Sequence, residues 1–176
     1  ATDHYRNPVI PGFYPDPSIC RVGDDYWMVN SSFAYFPGLP VWHSTDLIHW
    51  ESCGPALSRS RDFLLAPPSN IVTGSYAPQI SYNPANGLYY IINTYVAGYW
   101  NFYITSSDPA SGQWSEPVLL PEVPGIDPSI LFDNDGRAYI VSAPGRDAIG
   151  ETKLYAEDNA IVLFDFDWEK GITGER

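Results

Sequence analysis

The chain has 176 residues, among them 13 Tyr, 8 Phe and 6 Trp, and a formal net charge of −12 at pH 7. A length of this size accommodates a domain with a hydrophobic core, whereas nine basic residues against 21 acidic ones exclude a nucleic-acid surface, which needs clustered Lys and Arg. No run approaches the roughly 20 apolar residues of a membrane span, and 17 prolines with 14 glycines interrupt the chain too often for long helices, so an all-β protein is expected.

In chain order, three similar units follow one another, each built of apolar or aromatic runs of a few residues bounded by Gly, Asn and Asp, the mark of hairpins. The first unit runs Asp16-Pro17-Ser18-Ile19, a turn at Gly23-Asp24-Asp25, Tyr26 to Val29, Val41 to Asp46, and Ile48-His49-Trp50 as a fourth strand. The second runs Ala77-Pro78-Gln79-Ile80, a turn from Asn83 to Gly87, Leu88 to Ile92, Phe102 to Ser107, and Gln113-Trp114. The third runs Asp127-Pro128-Ser129-Ile130, a turn from Asp133 to Gly136, Ala138 to Val141, and Ala160 to Asp165.

The matching prolines, Pro17, Pro78 and Pro128, lie 61 and 50 residues apart, a spacing that suits propeller blades with loop insertions. A single four-stranded blade cannot bury both faces, so blades stack about an axis and large side chains fill the seams. Trp50 and Trp114, at like positions, are expected in those seams. Cys20 and Cys53 are too few and too unpatterned for a disulfide framework or a zinc site and read as core thiols. His4, His43 and His49 show no metal-ligand spacing and read as hydrogen-bonded structural groups.

Stacking about an axis brings the start of each first strand to one small region, and with it Asp16 and Asp127, 111 residues apart in sequence. Two carboxylates placed together shift each other's pKa and can divide acid and base duties. Asp before Pro also starts a strand or turn by capping the backbone, so either residue alone serves structure as readily. Ala77 holds this place in the second unit, so a unit of this kind does not require the aspartate.

Asn7-Pro8-Val9-Ile10, Gly12-Phe13-Tyr14-Pro15-Asp16-Pro17-Ser18, Ser32-Phe33 to Phe36-Pro37-Gly38, His43-Ser44 to Asp46-Leu47-Ile48-His49-Trp50, Gly74-Ser75-Tyr76-Ala77-Pro78 and Gly125-Ile126-Asp127-Pro128-Ser129 together resemble glycoside hydrolase family 43. The resemblance covers nearly the whole chain and is nearest to the β-xylosidases and arabinofuranosidases of that family. It implies a five-bladed β-propeller, of which residues 1–176 are the N-terminal part, about the first three blades, with the remaining blades expected from another segment or a second chain.

The resemblance further implies an inverting O-glycosidase acting on a carbohydrate, with Asp16 as the general base that activates water and Asp127 as the carboxylate that tunes and orients the acid. An exo-acting β-xylosidase releasing pentose from hemicellulose is favoured, with an α-L-arabinofuranosidase as the alternative and a non-catalytic carbohydrate-binding propeller as the reading from another class. The family's acid is a glutamate in a Glu-Gly-Pro-His-like segment that nothing here matches, and Glu116, Glu122, Glu151, Glu157, Glu169 and Glu175 read as solvated surface charges.

Phe33 and Tyr76 match places where the family sets aromatics against the sugar, although aromatic residues there also serve core packing. Gln79, carried over with Phe33 and Tyr76 as a substrate-binding position, stands where many xylosidase-like members have aspartate, and Tyr76 where many have tryptophan. No cofactor is implied; some members hold a calcium ion centrally, through residues this chain lacks. Residues 1–6 carry no apolar signal core, and the expectation is a secreted or periplasmic protein with its signal already removed, a cytoplasmic one being the alternative.

Overall fold

The structure, a computed structural model, describes residues 4–58, 73–96, 98, 100–143 and 161–174. It contains three antiparallel sheets in chain order, one for each sequence unit. The first sheet is a meander of β1 (Ser18–Val22), β2 (Asp25–Val29), β3 (Gly38–Ser44) and β4 (Glu51–Leu57). In the second, β5 (Gly74–Ser75) and β6 (Gln79–Asn83) both pair with β7 (Leu88–Val96), which continues to β8 (Trp100–Ser106) and β9 (Val118–Leu119). The third is again a meander, of β10 (Ile126–Phe132), β11 (Ala138–Ala143), β12 (Val162–Asp167) and β13 (Ile172–Thr173).

The sheets stack face to face because the middle one is apolar on both sides. Successive strand residues point to opposite faces, and β7 uses this fully. Tyr89, Ile91 and Tyr95 join Trp27, Val29, Leu39, Val41 and Leu57 in one core. Tyr90 and Ile92 join Ile130, Ile140, Phe164 and Phe166 in a second. Each seam is therefore an apolar layer between neighbouring sheets, stabilised by area withdrawn from water at about 25 cal/mol per Å2.

Side chains also stitch the sheets at their first strands. Ser18 Oγ accepts from the Ile80 backbone N–H at 3.1 Å, and Gln79 Oε1 accepts from the Ile130 N–H at 3.0 Å. Ser18 and Gln79 occupy the same place in their units, directly after the Asp-Pro or Ala-Pro pair. The same N–H of the following sheet is thus satisfied twice by the same strand position.

Several strand expectations differ from the observed elements, β1 and β3 by shifts of two or three residues. Ile48-His49-Trp50 is not a strand, because the Asp46 carboxylate accepts from the Ile48 and His49 N–H groups at 2.8 and 2.7 Å and folds the segment into a turn; the fourth strand is β4. Gln113-Trp114 lies in a loop, and the outer strand is the later β9. The last expected strand, from Ala160 to Asp165, forms as β12, two residues further on, and Ala160 is outside the described residues.

Trp114 is buried in the first seam, as expected. Trp50 is not in a seam between the described sheets: it is partly exposed and its indole N–H donates to Leu47 O at 3.0 Å, closing the Asp46 turn. Trp168, not anticipated for this role, packs against the second seam. Cys20 and Cys53 are free thiols packed against the first core, and burial pushes the pKa of both upward.

Candidate active site

Asp16, two residues ahead of β1, and Asp127, the second residue of β10, hold equivalent places in their units and share one backbone conformation, with φ of 52° and 54°. This left-handed region is uncommon for residues other than glycine, and aspartate tolerates it better than most because its short side chain bonds locally. The approach to each first strand is held by the residue that follows the neighbouring strand's register pair. Asn30 Nδ2 donates to Tyr14 O at 2.9 Å and Pro15 O at 3.2 Å. Asn93 Nδ2 donates to Tyr76 O, and Ser142 Oγ donates to Pro124 O at 2.8 Å. In each unit a side chain at this place bonds to a carbonyl one to three residues ahead of the Asp-Pro or Ala-Pro pair.

The two carboxyls are exposed on one rim but differ in their partners. Asp16 Oδ2 accepts from the buried Ser31 hydroxyl at 2.5 Å. Asp127 has no hydrogen-bond partner among the described residues. The protein around its carboxyl withdraws water, and the Asp16 charge adds repulsion, so its pKa lies above the usual carboxylate value.

A raised carboxyl means that the folded chain holds this proton to a higher pH than the unfolded chain, so stability falls as pH rises from the unfolded pKa through the folded one. Asp127→Asn is therefore expected to raise the melting temperature at neutral pH and to leave it nearly unchanged near pH 3. Thermal unfolding across that range measures it, and an equal shift at both pH values would contradict the cause given.

Beside Asp16, the loop of Phe33 meets the start of the second sheet. Phe33 N–H donates to Ser75 O at 2.9 Å and Ser75 N–H donates to Phe33 O at 3.0 Å. The bridge is close because residue 74 is glycine: a Cβ there would lie 2.0 Å from Phe33 O. It sets the half-buried Phe33 and Tyr76 rings edge to face, with centroids 5.3 Å apart. Phe13 and Tyr35 extend this cluster, with Phe13 6.1 Å from Phe33 and 6.0 Å from Tyr35. Both are largely exposed, at 63% and 65%. Sequence reasoning missed them as site residues, although Phe13 stands within the Asp16 motif and Tyr35 between Phe33 and Phe36.

Gln79, expected against the sugar, makes two backbone hydrogen bonds. Its Oε1 takes the Ile130 N–H of the next sheet and its Nε2 donates to Ile80 O of its own strand at 3.1 Å, so both ends of the amide are bonded to backbone. Glu116, Glu122 and Glu169 are exposed, with Glu122 accepting from the Thr173 backbone on β13 at 3.3 Å. Glu151, Glu157 and Glu175 lie outside the described residues. His43 and His49 pair with Asp25 and Asp46, each at 2.6 Å, as structural groups. Among the described residues no group of three or more His, Cys, Asp or Glu is arranged to hold a metal ion.

The described chain thus sets an aromatic cluster beside Asp16, and comparison with known proteins decides its family. The pattern described as Glycosyl hydrolases family 43 matches residues 5–175. The chain belongs to that family. Among curated relatives, it is 45% identical over 159 residues to a xylosidase/arabinosidase of Butyrivibrio fibrisolvens, covering 87% of this chain and 30% of the relative. It is 48% identical over 145 residues to a non-reducing end α-L-arabinofuranosidase of Bacteroides ovatus, covering 81% and 26%.

Solved structures agree. A family 43 protein from capybara gut metagenome superposes with a TM-score of 0.82 at 42% identity, over 97% of this chain and 31% of that one. A xylan β-1,4-xylosidase from Bacillus halodurans superposes with a TM-score of 0.83 at 33% identity, over 98% and 33%. This family 43 chain thus spans about 30% of the length of the curated relatives it matches.

Proposed function

We propose that the chain forms part of an inverting, exo-acting glycosidase that releases pentose from hemicellulose-type saccharides, with Asp16 as the general base. The observation that carries this reading is the Asp16–Asp127 pair, two aspartates in one unusual backbone conformation on one rim, electrostatically coupled. A β-xyloside is the favoured substrate. The Bacteroides ovatus relative, named as an arabinofuranosidase, supports an α-L-arabinofuranoside as the second reading.

In the proposed reaction, Asp16 takes a proton from a water that attacks the anomeric carbon, while an acid on the opposite side of the sugar protonates the leaving oxygen. Inversion sets base and acid roughly 6.5 to 9.5 Å apart so that the water fits between them. Ionised Asp127 disfavours a second charge nearby and so keeps the acid protonated for its task. The acid comes from a part of the protein other than these residues. Phe33 and Tyr76 offer ring faces to the C–H face of the pentose.

The fold reading that accompanies this function is a five-bladed propeller, with the three sheets as successive blades. The repeated stitch supports it. Ser129 stands where Ser18 and Gln79 each accept an N–H of the following sheet, and its own hydroxyl has no partner among the described residues. On the same face Leu131 and Leu163 are 60% and 53% exposed. A further blade would cover these side chains and supply the missing N–H, and ring closure removes open faces and edges.

Proton NMR of the active protein acting on aryl β-D-xylopyranoside and aryl α-L-arabinofuranoside tests the function. The first pentose released is expected with inverted anomeric configuration. Retained configuration would overturn the proposed mechanism, and binding of pentosides without any hydrolysis would favour a carbohydrate-binding module instead.

A further inference from the structure

Register pairs define equivalent positions in the three sheets. Ser18 pairs with Val29, Gln79 with Ile92 and Ser129 with Val141. The next residues are Asn30, Asn93 and Ser142, the three that hold the strand approaches. One step further come Ser31, Thr94 and Ala143. Backbone contacts agree with this alignment: Ser31 N–H donates to Pro15 O at 3.0 Å, Tyr76 N–H donates to Thr94 O at 3.0 Å, and Ala143 pairs with Ile126.

At this position the sheets differ in the one atom that matters. Ser31 is 1% exposed and gives its hydroxyl to Asp16 Oδ2. The 2.5 Å length is that of a hydroxyl donating to a carboxylate. Ala143 has no hydroxyl to give, and Asp127 has no hydrogen-bond partner among the described residues. In the second sheet, where alanine replaces the aspartate, the Thr94 hydroxyl turns to Asn101 Oδ1 at 2.5 Å.

We infer that Ser31 is a positioning residue for Asp16: it anchors Oδ2, leaves Oδ1 as the oxygen open to water, and so separates the duties of two aspartates that the repeat would otherwise make equivalent. The inference rests on the reading of Asp16 as the base. An exposed carboxylate without an anchor samples several rotamers, and a base must stay within hydrogen-bond reach of the attacking water. Asp127, acting by charge alone, needs no such anchor. The Ser31 N–H bond to Pro15 O involves only backbone, so removing the hydroxyl spares the strand approach.

The test compares Ser31→Ala, Ser31→Thr and Asp16→Asn in the active protein, with thermal unfolding of each. Ser31→Ala is expected to lower kcat by about 10- to 100-fold, the range for a misplaced catalytic group, with KM within about twofold. Ser31→Thr is expected to recover most of kcat, since Thr94 shows that threonine fits this backbone position. In the Asp16→Asn background, Ser31→Ala should add nothing, because its effect passes through Asp16.

Unchanged kcat in Ser31→Ala while Asp16→Asn is inactive would overturn this inference and leave the base reading standing. Full activity in Asp16→Asn would overturn the base reading itself. An additive loss in the double variant, or no recovery with threonine, would assign Ser31 a role other than holding Asp16.

Discussion

Asp16→Ala is expected to lower turnover on aryl pentosides by about 1,000-fold, within the range of 100- to 10,000-fold that a positioned base contributes. Pentose binding should survive, because the Phe33 and Tyr76 rings are set by the bridge to Ser75 and not by the Asp16 carboxylate. Alanine at φ of 52° carries a backbone cost that asparagine avoids, so Asp16→Asn should match Asp16→Ala in kcat while unfolding closer to the parent. Steady-state kinetics and calorimetric titration with the free pentose provide the two measurements. Undiminished hydrolysis by either variant would remove Asp16 from the mechanism.

Gly74→Ala is expected to be the most damaging single-methyl change near the site, destabilising the protein by about 2 to 4 kcal/mol. Gly74 has φ of +103°, a conformation that L-residues with a side chain rarely adopt. Its added Cβ would meet Phe33 O at 2.0 Å and Phe33 C at 2.5 Å, and both are backbone atoms that cannot swing aside. Relief requires the Phe33–Ser75 bridge to open, which removes two hydrogen bonds and releases the ring that faces Tyr76.

The change should therefore raise KM for pentosides as well as lower the melting temperature. Gly54→Ala is the matched control. It too has positive φ, +85°, but nothing lies within 4 Å of its added Cβ, so its cost should stay near the 1 kcal/mol of backbone strain alone. Equal losses in the two variants, measured by denaturant unfolding, would show that the contact with Phe33 carries no weight.

The repeat was legible because each unit carries its own turn residues and its own short apolar runs, which are local signals. Strand edges were less so. Ile48-His49-Trp50 reads as a strand by composition, yet the Asp46 carboxylate captures two backbone N–H groups and makes a turn. Trp114 and Trp50 look alike in sequence, but only Trp114 has a neighbouring described sheet to pack against. In the site, Asp16 and Asp127 were marked by a repeated motif, whereas Phe13 and Tyr35 carried no periodic signal and emerged only as exposed rings grouped around Phe33.

Gln79 illustrates the difference most directly. Its place in the motif points to a sugar contact, and the stacked sheets put the Ile130 N–H, 51 residues away, within reach of its Oε1. By itself, the order of residues in this chain determined three β units, two aspartates at the head of the first and third, and the family those motifs belong to, because all of these are properties of short segments. The tertiary structure alone decided that Gln79 binds sheets together and that Ser31, 15 residues from Asp16, anchors one carboxylate while Ala143 leaves the other unheld. Such contacts depend on register between strands and on which faces meet, and neither is written in any single segment.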